Sequence, residues 1–159
     1  MDVQTQKVCD RVVTILKENF GENLVGVALF GSAARGDTSA RSDVDIFAII
    51  ENLPAKHFKR CTMLNSLVLP RVQHQVTIVA KTREEFLSAF PSLYLDLGLD
   101  GKVLYDREGF LSERLAMIRK IIRQAGLRRE KRDYGFIWRW RNQPQRGWEI
   151  TWEGYRELE

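Results

Sequence analysis

One stretch, residues 24–50, constrains the fold more than any other part of this 159-residue chain. It reads LVGVALFGSAARGDTSARSDVDIFAII, two apolar runs joined by a segment of small residues and arginines. The first run ends directly at Gly31-Ser32 and predicts a strand covered on both faces. The second run begins at Ser42-Asp43-Val44-Asp45 and predicts a strand that is apolar except for Asp45. Both strands therefore meet polar residues at one end.

The turn at Gly31-Ser32 has the chemistry of a phosphate-binding loop. Residues 26–32 read G-x-x-x-x-G-S, but Ser32 stands where a P-loop places the lysine that reaches the phosphates, so the segment departs from the P-loop pattern. A glycine followed by a serine can still donate backbone N–H and hydroxyl groups to phosphate oxygens at a strand-to-helix turn. Taken by itself, the dipeptide favours an ordinary turn, since most Gly-Ser pairs are turns.

Asp43 and Asp45 form a second polar feature. Side chains alternate along a strand, so the two carboxylates project from one face with their Cα atoms about 6.6 Å apart. A strand-start turn is the alternative, but Asp45 lies inside an otherwise apolar run. A buried charge is unfavourable there unless a cation or an arginine neutralises it. The pair therefore predicts either bound divalent cations or a neighbouring arginine.

Together, Gly31-Ser32, Arg35-Gly36 and Ser42-Asp43-Val44-Asp45 resemble the G-S-x-x-R-G…S-D-x-D signature of the DNA polymerase β-like nucleotidyltransferases. The resemblance is strongest to the small stand-alone members, the minimal nucleotidyltransferases. It implies an α/β fold with a mixed central β-sheet flanked by helices. It also implies catalytic and Mg²⁺-binding roles for Asp43 and Asp45, with room for two cations. The implied nucleotide- and phosphate-binding residues are Gly31, Ser32, Arg35 and Ser42. For Arg35, the alternative role is to pin the loop.

The third strand departs from the family pattern. Alternation over residues 72–80 predicts this strand, and Thr77 stands where active family members usually present a third carboxylate. A threonine hydroxyl cannot act as a base at neutral pH. The general base is therefore left open among a substrate carboxylate, a metal-bound hydroxide, Asp96 and Asp100. Thr77 also supports an alternative function, a non-catalytic module for binding nucleotides or proteins.

The resemblance further implies transfer of a nucleoside monophosphate from an NTP to a hydroxyl acceptor. Relatives of this size resemble antitoxin-type enzymes that modify a partner protein with AMP, often a helical HEPN-type toxin. A second alternative is nucleic-acid binding, because residues 1–106 carry a net charge of −1 and residues 107–159 a net charge of +5. The basic cluster Arg128, Arg129, Lys131 and Arg132 could contact phosphates or form a solvated helix end.

The remaining pattern predicts a core over residues 1–106 and a C-terminal extension over residues 107–159. In the core, amphipathic helices are expected up to Gly21 and over residues 55–69, and Thr82-Arg83-Glu84-Glu85 is a capping-box pattern. The extension predicts a basic helix from Phe110 to Gly126. It is followed by one β-hairpin whose strands carry Trp138 and Trp140, and Trp148 and Trp152, around a Pro/Gly loop.

No apolar run approaches the roughly 20 residues that span a bilayer, and residues 2–11 include charged side chains instead of a signal peptide's apolar centre. These features predict a cytoplasmic protein without a membrane anchor. The base preference, the acceptor and the oligomeric state are left open by the sequence.

Overall fold

A four-stranded mixed sheet forms the centre of the computed structural model, which describes residues 1–37 and 42–159. The strands are β1 (Leu24–Phe30), β2 (Val44–Ile50), β3 (Val76–Lys81) and β4 (Lys102–Asp106), in the order β3-β2-β1-β4. β2 is parallel to β3, and β1 is antiparallel to both β2 and β4. Every residue of β1 is buried, which confirms the strand predicted to be covered on both faces.

Two helices cover one face of this sheet, α1 (Val3–Phe20) and α3 (His57–Val72). Asp2 caps α1 by accepting a hydrogen bond from the Thr5 amide at 2.8 Å, and the helix ends at Gly21 as predicted. The apolar residues of α1 that recur at helical spacing are fully or almost fully buried: Val8, Val12, Ile15 and Leu16. The amphipathic pattern therefore identified the face that packs on the sheet.

Three helices cover the opposite face, α4 (Arg83–Ser88), α5 (Ser92–Asp100) and α6 (Phe110–Ala125). The predicted cap of α4 is confirmed, since Thr82 Oγ1 accepts a hydrogen bond from the Glu85 amide at 3.1 Å. Helix α6 ends at Gly126 in the left-handed conformation, as predicted. This face is packed with aromatic and branched side chains from the sheet and all three helices, including Phe47, Phe86, Tyr94, Leu97, Leu111 and Leu115.

Helix α3 is longer than predicted. It continues through Pro70 to Val72 instead of ending at Leu69, and β3 consequently begins at Val76 instead of Val72. Val68 and Val72 are both buried against the core, and this burial outweighs the single backbone hydrogen bond that proline cannot donate. Arg11 also donates from Nη1 to the Arg71 carbonyl at 2.9 Å, which holds the last turn against α1.

The strand pairing predicted for the C-terminal region is wrong. The chain forms two hairpins, β5 (Leu127–Arg132) with β6 (Gly135–Trp140), and β7 (Trp148–Thr151) with β8 (Gly154–Glu157). The two tryptophan-bearing runs thus pair with separate partners, and the basic cluster is a strand instead of a helix end. Each hairpin closes with a two-residue turn before a glycine of positive φ, Gly135 or Gly154. Short turns of this kind favour local pairing over the longer Pro/Gly loop.

A short helix, α2 (Gly31–Arg35), follows β1 and completes the elements that surround the polar end of the sheet. The loop predicted at Thr38 and Ser39 lies outside the described residues. Within the described ranges, no helix has the length and apolarity needed to cross a membrane.

Candidate functional site

The turn between β1 and α2 lies directly against Asp45. Gly31 has a φ of +71°, a conformation that residues with a side chain rarely adopt. A Cβ atom at this position would overlap Oδ2 of Asp45. Glycine is therefore required here for two reasons, its backbone conformation and the space that the carboxylate occupies. The two parts of the motif, predicted from separate stretches of sequence, meet at this point.

The sheet register explains how Asp45 reaches the turn. Asp45 is the second residue of β2 and pairs with Phe30, the last residue of β1. Asp43 immediately precedes β2 and is exposed, whereas Asp45 is half-buried. Burial raises the pKa of Asp45, the negative charge of Asp43 raises it further, and Arg35 opposes the shift. The carboxylates thus form an electrostatically unfavourable pair that a bound cation would stabilise.

Thr77 occupies the place beside Asp45 on the other side. β2 and β3 are parallel, and Asp45 is in register with Thr77, so their side chains belong to the same face of the sheet. Thr77 is exposed at the polar end of the strand. The structure therefore places Thr77, the residue predicted to replace a third carboxylate, beside Asp45.

Ser32 and Ser42, the two serines with implied phosphate contacts, flank this arrangement. Ser32 is the second residue of α2, where a helix leaves its first backbone N–H groups without partners in the helix. Ser42 lies one residue before Asp43, and its carbonyl accepts a hydrogen bond from His74 Nε2 at 3.2 Å. Gly31, Ser32, Asp43, Asp45 and Ser42 are thus carried by adjoining segments at one end of the sheet.

Arg35 joins this end of the sheet to the C-terminal region. Its Nε donates to Asp37 at 3.0 Å, and its Nη1 donates to Asp100 at 3.1 Å. Asp100 also accepts two hydrogen bonds from Arg129 of β5, at 2.6 and 2.9 Å. These contacts agree with the second of the two roles predicted for Arg35, which is to hold the loop in place.

The sequence interpretation missed the functions of Asp100 and Arg129 in this network. Asp100 ends α5, where a negative charge is unfavourable beside the carbonyl groups of the helix unless a cation compensates it. Arg129, one of three arginines considered for nucleic-acid contact, has a side chain only 10% exposed and also binds Asp96 at 3.1 Å. The other two, Arg128 and Arg132, are exposed and pair with Glu130. No local motif connects positions 35, 100 and 129.

The oxygen ligands at this site fit a magnesium ion that is coordinated by both the protein and a nucleotide. Over residues 1–37 and 42–159, the structure contains no group of three or more acidic, histidine or cysteine residues that could hold a metal without further ligands. Mg²⁺ is commonly bound by one or two carboxylates, with substrate phosphates and water completing the octahedron. Asp43 and Asp45 would be the two carboxylate ligands, and the adjoining Gly31-Ser32 turn would bind the phosphates.

Comparisons with known proteins identify similar sequences. Residues 9–103 match the family model described as a nucleotidyltransferase domain. The chain is 31% identical over 121 residues to MJ1305 of Methanocaldococcus jannaschii, named as a candidate protein adenylyltransferase, covering 74% of this chain and 82% of that protein.

Solved structures confirm the predicted mixed α/β fold. A chain of a toxin–antitoxin complex with AMP-PNP superposes with a TM-score of 0.56 at 18% identity, covering 73% of this chain and 87% of that chain. A chain of the MntA–HepT toxin–antitoxin complex gives a TM-score of 0.52 at 17% identity, covering 75% of this chain and 87% of that chain.

Proposed function

The chain belongs to the family of nucleotidyltransferase domains, and we propose that it transfers a nucleoside monophosphate from an NTP to a hydroxyl group of a partner protein, with Mg²⁺. The observation that carries the proposal is the packing of Asp45 against Gly31, because it brings a carboxylate pair to a turn suited to phosphates. ATP is the donor we propose, since the relative MJ1305 is named for adenylyl transfer.

In this proposal, three site residues bind the phosphates and two bind the metal ion. Gly31 and Ser32 bind the triphosphate through N–H and hydroxyl groups, and Arg35 adds a positive charge beside it. Asp43 and Asp45 would hold Mg²⁺, which supplies charge neutralisation on the phosphates when bound. The residues align the nucleotide so that the acceptor oxygen forms a bond to the α-phosphorus while the bond to the leaving pyrophosphate breaks. Positioning and electrostatic stabilisation then provide most of the rate acceleration.

The hydrogen bonds around Arg129 argue against two of the candidates for the general base. Asp96 and Asp100 were two of the candidates, and both accept hydrogen bonds from Arg129. Asp100 is also only 7% exposed and binds Arg35. Both carboxylates are therefore already held by arginine, and burial shields Asp100 from an acceptor hydroxyl. We therefore propose that the base comes from outside these two residues, from the acceptor or from solvent.

We propose a HEPN-type toxin as the partner protein. The motif resembles that of antitoxin-type minimal nucleotidyltransferases, and toxin–antitoxin complexes are among the structures with the same fold. A folded protein surface suits this site because Asp43 and Thr77 are exposed at the open end of the sheet. An acceptor hydroxyl could approach there without displacing the core.

Label transfer from ATP tests the proposal. The protein is incubated with α-labelled ATP, Mg²⁺ and a HEPN-type protein, in parallel with Asp43→Asn/Asp45→Asn. We expect label on the partner with the unchanged chain and none with the double variant. Asp10→Asn, an exposed carboxylate on α1, is the matched control and should retain full transfer. Transfer that persists in the double variant would refute the assignment of the site.

Thr77 favours one second candidate, a nucleotide-binding protein that has lost turnover. It lies in register with Asp45 at the position where the resemblance implies a third carboxylate. Calorimetric titration with ATP and Mg²⁺ distinguishes the two functions when it is combined with the transfer assay. Binding that requires Asp43 and Asp45, without label on any acceptor, would support the non-catalytic module.

A further inference from the structure

We propose that Asp100 and Arg129 are positioning residues for Arg35, so that the β5–β6 hairpin is a working part of the nucleotide site. The proposal rests on the proposed function for the ligand that Arg35 meets. It assigns to the C-terminal hairpin a role that no part of the sequence motif covers. It also accounts for the two largely buried charged side chains of this region, Asp100 and Arg129.

Asp100 is the centre of the arrangement. Its Oδ2 accepts hydrogen bonds from Arg35 Nη1 at 3.1 Å and from Arg129 Nη1 at 2.6 Å, and its Oδ1 accepts one from Arg129 Nη2 at 2.9 Å. The bidentate bond from Arg129 fixes the plane of the carboxylate. Since the Asp100 side chain is only 7% exposed, water cannot easily replace either arginine. The orientation of Asp100, and with it that of Arg35, therefore depends on Arg129.

The hairpin holds Arg129 and Arg35 by a second type of contact. The ring of Phe136 lies 4.2 Å from the Arg129 guanidinium and 4.7 Å from that of Arg35. Trp138 donates from Nε1 to Asp96 at 3.1 Å, and Asp96 in turn accepts a bond from Arg129. A guanidinium beside an aromatic ring gains cation–π attraction in addition to its ion pair. Both β5 and β6 thus contribute to holding the two arginines.

The two carboxylates that bind Arg35 differ in exposure, and this difference suggests how a nucleotide enters. Asp37 has a side chain 52% exposed, against 7% for Asp100. An exposed ion pair is weak and is easily exchanged, whereas a pair with a buried carboxylate that two bonds from Arg129 already hold in place is exchanged less readily. We infer that a triphosphate replaces Asp37 at Arg35 while Asp100 keeps its bond. The two described bonds use two of the five guanidinium N–H groups, which leaves donors for phosphate oxygens.

Arg129→Met tests the proposal, because methionine removes the charge and keeps an unbranched side chain. Arg128→Met is the matched control: it removes the same charge from the adjacent, exposed position of β5. We expect Arg129→Met to weaken Mg²⁺–ATP binding about 10-fold, comparable to the loss of an outer-shell partner at other sites. Arg128→Met should leave binding unchanged. Asp100→Asn should match Arg129→Met, and thermal unfolding confirms that each variant is folded at the assay temperature.

A double-variant cycle separates positioning from general destabilisation. In an Arg35→Ala background, Arg129→Met should have no further effect on ATP affinity, because the residue it positions is absent. An equal loss in both backgrounds would overturn the proposal. Equal ATP affinity of Arg129→Met and the unchanged chain would also overturn it.

A measurement on the nucleotide-free protein keeps this proposal distinct from the proposed function. The Arg35 Nε–H order parameter from ¹⁵N relaxation should be that of a rigid group in the unchanged chain and in Arg128→Met. It should fall in Arg129→Met and Asp100→Asn. If the protein binds no ATP, the proposed function fails, while a rigid Arg35 that loosens in these two variants still supports positioning. An order parameter that Arg129→Met does not change overturns positioning, whatever binds.

Discussion

At the scale of single residues, Gly31 is where the backbone conformation and the carboxylate site constrain each other. Gly31→Ala should destabilise the fold by about 1 kcal/mol through its positive φ. It should also abolish Mg²⁺–ATP binding, because the new methyl group displaces Asp45. Gly109→Ala is the control, with a φ of +76° and no neighbouring atom within 4 Å of the added Cβ. Thermal unfolding and calorimetric titration measure both effects. Equal ATP affinities in the two variants would contradict the prediction.

Thr77 permits the opposite kind of test, a gain of function. Thr77→Asp places a carboxylate in register with Asp45 and should raise the rate of label transfer by about 10²-fold, within the range of a positioned base. Thr77→Asn introduces a side chain of similar shape to aspartate that cannot accept the proton, so it should not raise the rate of label transfer. Initial rates at saturating Mg²⁺ and ATP give the comparison. The prediction fails if the aspartate and asparagine variants transfer at the same rate.

Single residues also show what the sequence could predict of the site. Gly31 and Asp45 were identified because each breaks a local pattern, a turn after a strand or a charge within an apolar run, and Asp43 because it lies two positions before Asp45. Asp100 and Arg129 break no such pattern. Their function arises from contacts across 65 and 29 positions of the chain, which only the folded arrangement of α5 and β5 creates. The roles of Asp100 and Arg129 therefore could not be predicted from the sequence.

At the scale of secondary-structure elements, the predicted helices and strands were reliable where local chemistry defines their ends. The cap at Thr82, and the glycines after α1 and α6, satisfy backbone groups within a few residues. Pairing of the C-terminal strands was not predictable in the same way. Phe136, Trp138 and Trp140 alternate on β6 whichever partner they have, so the pattern identified a strand without its neighbour.

The ion pair between Arg60 of α3 and Glu85 of α4 predicts how these elements respond to acid. Arg60 is buried and donates two bonds to Glu85, at 2.7 and 2.8 Å, and these hydrogen bonds hold the pKa of Glu85 below its ordinary value. The pair therefore stabilises the fold above the pKa of an unfolded glutamate, and this stabilisation is lost as the pH falls through the lowered pKa.

Glu85→Gln should consequently destabilise the protein by roughly 1–2 kcal/mol at pH 7, allowing for the partial exposure of Glu85. The difference in unfolding free energy from the unchanged chain should shrink below about pH 4. Glu84→Gln, the exposed neighbour on α4, should show neither effect. Urea titrations at several pH values provide the measurement. A difference that grows on acidification would have the wrong sign for this ion pair.

At the scale of the whole molecule, we propose that residues 107–159 pack on the core as an extension of one folding unit. Leu111, Leu115 and Ile118 of α6 lie in the same apolar cluster as residues of the sheet. Farther along, Trp152 donates from Nε1 to the carbonyls of Phe86 and Ala89, at 3.0 and 3.1 Å. These contacts give the extension a share in the principal core.

One cooperative unfolding transition is the expected result. All four tryptophans lie within residues 138–152, so their fluorescence reports on the extension, whereas far-ultraviolet circular dichroism reports on every helix. The two midpoints should coincide, as they do in two-state unfolding. Trp152→Ala should lower both midpoints together. A fluorescence transition at clearly lower temperature than the dichroism transition would show that the extension unfolds separately.

The hydroxyl of Thr77 has a consequence for ATP when no acceptor is bound. Water that enters the open end of the sheet meets a side chain that cannot take its proton, so hydrolysis gains little help from the protein. An acceptor that brings its own proton-accepting group would be used in preference to solvent. In the proposed function, the absence of a third carboxylate would therefore limit ATP hydrolysis until the correct partner docks. The same absence would make the site selective for that partner over water.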